Sequence, residues 1–484
     1  MRRLTSALGR PPMRWQARVS WKRCVGGAGT LALLLLVYFQ TLAPTITWAH
    51  YGADGGDLVT AVARGSIPHP PGFPTYLLLG ELFICLPWGE PAWRLNVMSA
   101  VLAASAAALT ASAVGLLSIS SLPSRDHDWS PALCAGLSLG LSPLFWSQAV
   151  ITEVYAPAAC LAALVMLLAL RKAPPWAMGL AWGLGVAAHP SLVFLAPVVA
   201  WGAWGGERGR LERLSRVGLL ALLGWGAMGG PVLLARRGAP SPWGSVDTLP
   251  GWWAFVSGQI YHGYVFGLAL TAWPRRLLAW MGLLVRQFTP LGAGLVVLGW
   301  LRLWRERRPL AGISAGAFGA FSVYAIGYDT VDSVAYLVPA LPLMVLWLGC
   351  GLAQAAAWIR RRSRAGVWLI LLLPLLQALL FWGQADVSND RTAVEWAEST
   401  LEQAPHQAVL LTARDAHTFT LWYVHEVLGQ RPDVLVLDRD LWAQDSYRRI
   451  VSEALNLETV ANGLSPEDAA RHAGRPVVEV TVRE

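Results

Sequence analysis

Charge is what this chain has least of. Only 14% of its 484 residues are Asp, Glu, Lys or Arg, where a soluble protein carries about 25%. Hydrophobic residues make up 55%, and the mean hydropathy is +0.44. That balance excludes an ordinary water-soluble domain. Cysteine is scarce too. The five, Cys24, Cys85, Cys134, Cys160 and Cys350, lie in or beside apolar runs without metal spacing. They read as small core residues rather than disulfides or ligands. No glycine loop follows a strand, which leaves no nucleotide site to propose. The net charge of +8 comes without a recognition helix or an aromatic-basic motif, so nucleic acid is not an expected partner. The first apolar run, Val25 to Trp48, is too long for a signal peptide and shows no small-residue cleavage site. It reads as an uncleaved first helix.

What the chain does have is a succession of uncharged runs of about 17 to 28 residues, long enough to cross a bilayer as helices. Many of the 26 tryptophans flank them, among them Trp48, Trp88, Trp93, Trp146, Trp273 and Trp382, as anchors at the headgroup level do. Arginine clusters in the short connections fix orientation. The runs are Leu95–Leu122, Trp129–Thr152, Val154–Leu170, Pro174–Gly206 broken at His189-Pro190, Val217–Ala235, Leu277–Leu301, Pro309–Tyr328, Val334–Ile359 and Gly366–Gly383. The segment Thr75–Leu86 is too short and contains Glu81, so an interfacial or re-entrant helix suits it. The expected fold is a polytopic α-helical membrane protein of about eleven transmembrane helices. Residues 1–24 form a basic cytoplasmic N-terminus. Residues 25–385 form the membrane domain, with extracytoplasmic loops at 49–93 and 236–276. Residues 386–484 form a small extracytoplasmic α/β domain. The expected location is the plasma membrane.

This topology puts the unusual polar segments on one face. Asp54 and Asp57, spaced by two glycines, follow the first run; acids at the mouth of a span are costly near lipid and mark function. Capping of the helix that starts near Leu58 is the alternative for each, more so for Asp57. His69 precedes a stiff Pro70-Pro71-Gly72-Phe73-Pro74 knot and either binds a phosphate or the acid pair or ties the loop together. Glu153 and Tyr155 stand at a short outer turn, where Glu153 lines the cavity or pairs with Arg94 as structure. His189 breaks a span on the same side and serves as a ligand or a helix-end hydrogen bonder. Two arginine pairs lie outside against the charge rule, Arg236-Arg237 and Arg275-Arg276, and Arg286 sits inside a span. These are phosphate-clamp candidates, with snorkelling as the alternative. Tyr328, Asp329 and Asp332 are candidates for sugar or acceptor.

Beyond Asp386 the pattern changes. Ala408–Thr412, Val434–Leu437 and Val477–Val482 read as strands between helices, which predicts a small parallel sheet. Asp415, His417, Asp438 and Asp440 follow strand ends, where helix capping is the favoured reading.

The stretch from Asp54 through His69-Pro70-Pro71-Gly72-Phe73-Pro74 resembles a known family. So do Leu86-Pro87-Trp88-Gly89, Trp93-Arg94-Leu95-Asn96, Ser142 to Gln148, Thr152-Glu153-Val154-Tyr155 and the tail from Asp415 to Val434. The family is the protein O-mannosyltransferase-like group of GT-C glycosyltransferases. Asp57 replaces the usual Glu, and Phe73 the usual Tyr. The resemblance implies a GT-C fold and transfer of a sugar, with mannose the candidate, from a polyprenyl-phosphate donor on the outer face. The acceptor is a hydroxyl on a protein, a glycan or a lipid. It implies that Asp54 is catalytic, as a general base, with Asp57 beside it. No metal spacing is strong enough to assign a cation, which leaves a divalent one open. A transporter or flippase for a lipid-linked sugar is the alternative; its charged groups would belong at the bilayer midplane.

Overall fold

The computed structural model describes residues 21–119, 129–204, 209–457 and 464–480. The expected basic N-terminus through residue 20, the ends of the runs Leu95–Leu122 and Pro174–Gly206, and the end of the expected third strand lie outside them.

The chain is a bundle of helices followed by a small sheet. Helix α1 (Trp21–Thr41) leads through an extended stretch and a 3₁₀ turn (Ala49–Asp54) into α2 (Gly55–Arg64). Next come α3 (Pro74–Ile84), α4 (Pro91–Ile119), α5 (Ser130–Gly140), α6 (Pro143–Ala149), α7 (Tyr155–Leu170) and α8 (Pro175–Ala188). They are followed by α9 (Ala196–Ala203), α10 (Arg210–Trp225), α11 (Gly230–Arg236), α12 (Leu249–Val256), α13 (Trp273–Glu306), α14 (Arg308–Gly327), α15 (Leu341–Arg360) and α16 (Leu372–Ala385). Helix α4 is central and packs against α1, α5, α7 and α15.

Among the described residues, six helical stretches are long and apolar enough to cross a membrane: 91–117, 210–236, 270–306, 308–327, 332–360 and 365–385. Shorter apolar helices, including Val25–Thr41, Ser130–Gly140 and Tyr155–Leu170, stand among them. Leu222, Leu223, Leu278, Val297 and Leu379 are exposed on α10, α13 and α16. Such leucine-rich outer faces suit lipid as solvent.

Three runs differ from expectation. The first helix stops at Thr41, because the chain must turn at Pro44 toward the 3₁₀ segment. The run Trp129–Thr152 is two helices, since Ser142 is extended (ψ 137°) ahead of Pro143, as a residue before proline tends to be. The span through Leu277–Leu301 is kinked, with Thr289 at φ 61° just before Pro290. The Gln287 carbonyl accepts a 2.7 Å bond from the buried Gln377 amide, which also donates to Ser138 at 3.0 Å. A backbone group opened by a kink needs such a partner inside a membrane. The break at His189-Pro190 stands where the sequence puts it, between α8 and a 3₁₀ turn (Pro190–Leu195).

After α16 the chain forms α17 (Thr392–Gln403), β1 (Val409–Thr412), α18 (Asp415–Trp422), β2 (Leu435–Asp438), α19 (Asp445–Ala454), α20 (Pro466–His472) and β3 (Val477–Glu479). The sheet is parallel in the order β2-β1-β3. Helix α18 packs on α2 and the preceding 3₁₀ turn, so the C-terminal segment leans on the loop that carries Asp54.

Candidate active site

The stretch from Thr41 to Asp54 is held by side chains from the sequence motifs. Asn96 on α4 donates to the carbonyls of Ala43 (2.9 Å) and Thr45 (3.0 Å), and its carbonyl oxygen accepts from Thr152 at 2.6 Å. One buried amide thus fixes both acid-bearing loops. Gln148 donates to the His50 carbonyl (2.8 Å), and the Trp146 indole to the Thr41 hydroxyl (3.0 Å). From the other side, Trp48 donates to the Ala416 carbonyl (3.1 Å) and the Thr420 hydroxyl (2.9 Å), and Thr47 donates to Asp390.

Above this floor opens a cavity of about 310 Å³. Asp54, His69, Tyr155, His189, Asp332 and Asp415 are among its lining, with tyrosines 261, 264, 324, 328 and 336 forming much of one wall. Its centre is an acid–imidazole–acid line. The backbone N–H of His69 donates to Asp57 Oδ2 at 2.8 Å, and His69 Nδ1 lies 2.7 Å from the same oxygen. His69 Nε2 faces Asp54 Oδ2 at 3.6 Å. Asp57 is 4% exposed and belongs to the support of the line, whereas the Asp54 side chain is 37% accessible. His69 is boxed by Phe419 (stacked, 6.1 Å), Phe73 (edge, 5.1 Å) and Trp243 (edge, 6.1 Å).

The electrostatics follow from this enclosure. Burial alone would lower the His69 pKa, but the charge of Asp54 and the hydrogen bond to Asp57 outweigh it and lift the imidazole to about 9. His69 is therefore a cation at neutral pH. Asp54 is raised above the usual carboxylate range: enclosure lifts it first, the His69 charge opposes that rise without cancelling it, and the charges of Asp332 and Asp57 add to it. The cation thus favours an ionised, proton-accepting Asp54. Asp415 is raised to about 6, first by desolvation and then by the charge of Asp54.

Other expected site residues fall in different places. Glu153 is 2% exposed. Its Oε2 accepts from the Val154 N–H at 3.3 Å, while Oε1 has no partner among the described residues. Burial raises its pKa, and the Asp54 charge adds to the rise. The expected pairing with Arg94 does not form. Arg94 donates instead to the carbonyls of Ile84 (2.6 Å), Gly89 (3.1 Å) and Trp88 (3.2 Å), tying the Leu86–Gly89 turn to α4. Tyr155 and His189 do line the cavity, their rings 5.4 Å apart. Arg236, Arg237 and Arg286 do not. Arg286 is exposed, donates to Gln384 and lies 5.9 Å over Phe381. Asp329 sits 3.8 Å from Arg276, and its neighbours Thr330 and Asp332 reach the cavity in its stead.

Arg276 does not line the cavity but is bonded to a residue that does. It donates to Ser333 Oγ at 3.0 Å and to the Thr330 carbonyl at 3.3 Å. The sequence flagged its pair through the broken charge rule. Asp415 was visible only as an acid after a strand, and Tyr261, Tyr264, Tyr324 and Tyr336 carried no sequence signal. Among the described residues no group of three or more His, Cys, Asp or Glu is arranged to hold a metal ion. The acids here are spent on His69 or spread around the wall, a poor fit to a cation cage.

Comparison with known proteins gives two family matches. Residues 54–204 match the protein O-mannosyl-transferase TMEM260 N-terminal domain, and residues 393–465 match the TMEM260-associated domain 2. Protein O-mannosyl-transferase TMEM260 of Mus musculus is 24% identical over 464 residues, spanning 87% of this chain and 63% of its own length. The corresponding protein of Dictyostelium discoideum is 21% identical over 85% of this chain and 57% of its own length. The chain thus spans about three-fifths of the curated relatives it matches. Among solved structures, ArnT from Cupriavidus metallidurans bound to undecaprenyl phosphate superposes with a TM-score of 0.56 at 14% identity, covering 94% of this chain and 96% of that one. The chain shares the overall fold of that structure.

Proposed function

We propose, from the matches of residues 54–204 and 393–465 to the two TMEM260 family models, that the chain is a protein O-mannosyltransferase-like glycosyltransferase of GT-C type and moves a sugar from a polyprenyl-phosphate donor to a hydroxyl on a protein acceptor. Mannose is the sugar the relatives' names point to. The reaction is placed on the extracytoplasmic face of a protein that crosses the membrane about eleven times, with its N-terminus in the cytoplasm.

The observation that carries this reading is Asp54, open to the cavity at 37% and faced by the His69 imidazolium at 3.6 Å. Asp54 takes the proton of the acceptor hydroxyl as its oxygen attacks the anomeric carbon. The bond from that carbon to the phosphate oxygen breaks, and the prenyl phosphate leaves as an anion. No general acid is needed. His69 offsets part of the rise that enclosure imposes on Asp54 and so favours its proton-accepting form, and Asp57 holds His69 in place. The tyrosine wall offers aromatic faces and hydroxyls to the sugar ring. Arg276, which donates to the carbonyl of the lining residue Thr330, is the group we assign to the leaving phosphate.

The test is Asp54→Asn, which keeps size and removes the base. Purified protein with prenyl-phosphate mannose and a Ser/Thr peptide should lose about 10²–10⁴ of its rate. Full transfer by a folded variant would refute the assignment.

A further inference from the structure

The cavity is open for a ligand on its own terms. His189 is 6% exposed and lines it. Its Nδ1 is engaged by Ser191, whose hydroxyl lies at 2.7 Å and whose N–H donates at 3.3 Å. Its Nε2 has no partner among the described residues, which leaves an N–H donor to meet a hydroxyl. The charge of the lining is lopsided. Asp54, Asp332 and Asp415 all reach it, no Lys or Arg among the described residues does, and His69 is matched by Asp57 and Asp54.

Asp415 differs from the rest in origin. It comes from the C-terminal segment, and its place is fixed by tight docking. A Cβ on Gly56 would lie 2.3 Å from the Phe419 carbonyl oxygen, so α18 and α2 meet backbone to backbone. The two bonds from Trp48 lock the same helix. The acid is exposed and lines the cavity, so a peptide entering it can meet the carboxylate.

We propose that Asp415 is a specificity-determining residue: with Asp332 and Asp54 it selects acceptor peptides that are neutral or basic beside the reacting hydroxyl and rejects acidic ones. This rests on the reading of the cavity as a glycosyl-transfer site. A fixed carboxylate within reach of a peptide charge discriminates between Lys and Glu by about tenfold at a protein surface. Its position on the C-terminal segment makes that segment part of substrate selection rather than a passive appendage.

The experiment uses two fluorescent Ser/Thr peptides that differ only in Lys or Glu next to the hydroxyl. Affinity for the full-length protein is read by anisotropy and, separately, kcat/KM for sugar transfer. The wild type should prefer the Lys peptide by about tenfold. Asp415→Asn should cut that ratio several-fold, and Asp415→Lys should reverse it. Equal affinities in the wild type, or an unchanged ratio in both variants, would overturn the proposal. A charge preference in binding without any sugar transfer would sink the glycosyltransferase reading and leave the selectivity of Asp415 standing.

Discussion

Replacing His69 by Gln removes the cation from the Asp57–His69–Asp54 line and keeps a polar side chain of similar reach. The rise of the imidazole from 6.5 to about 9 corresponds to ~3 kcal/mol of native-state preference for the charged form. His69 is 10% accessible and Asp57 5%, so solvent screening takes little from that figure. It agrees with the ~3–5 kcal/mol lost when one partner of a buried pair is deleted. The direction with pH is fixed. A group whose pKa is higher in the folded state gives its full stabilisation below its unfolded pKa, here near 6.5. That stabilisation disappears as pH rises through about 9. Thermal unfolding in detergent, run from pH 6 to pH 10, should therefore show wild type well above His69→Gln at the acid end. The gap should narrow at the alkaline end. A gap that stays constant or widens with pH would refute the argument. Turnover gives a second readout. Without the opposing charge Asp54 becomes harder to ionise, so the acid limb of the rate profile should move to higher pH.

The Gly56→Ala variant should undock α18 from α2, because the new methyl would run into the backbone of Phe419 and Thr420; limited proteolysis should then cut the C-terminal segment free, and an unchanged digestion pattern would count against the close approach. Arg276→Ala should weaken binding of polyprenyl phosphate about tenfold while Arg286→Ala leaves it unchanged, and the reverse order would move the phosphate site. A cysteine placed at Leu249, 76% exposed, in a Cys85→Ala background should react with an impermeant maleimide from outside intact cells. Labelling only after lysis would invert the topology.

The polar motifs were legible for chemical reasons that act locally. A carboxylate beside a span, a proline at a helix break and an arginine on the wrong side of the charge rule each violate a preference that needs no partner to be noticed. Asp54, the His189-Pro190 break and the Arg275-Arg276 pair stood out in that way. The structure brings Asp54, His69, Tyr155 and His189 to one cavity and leaves Arg286 against Gln384. Asn96 and Gln148, which read only as motif letters, turn out to hold the loops through buried amide bonds. Nothing in their neighbours predicts that, because the carbonyls they meet lie about fifty or a hundred residues away.

The sequence by itself determined the helical membrane class, the three parallel-strand segments and the acid-bearing loop, since apolar run length and residue alternation are properties of the chain alone. Only the tertiary structure decided that Asp57 supports His69 and that Arg94 ties a turn instead of pairing with Glu153. It also decided that five tyrosines between positions 261 and 336, together with Asp415 from the far end of the chain, share one cavity with Asp54. Those outcomes depend on distances between segments remote in sequence, and electrostatic and hydrogen-bonding energies are set by distance and burial rather than by residue identity.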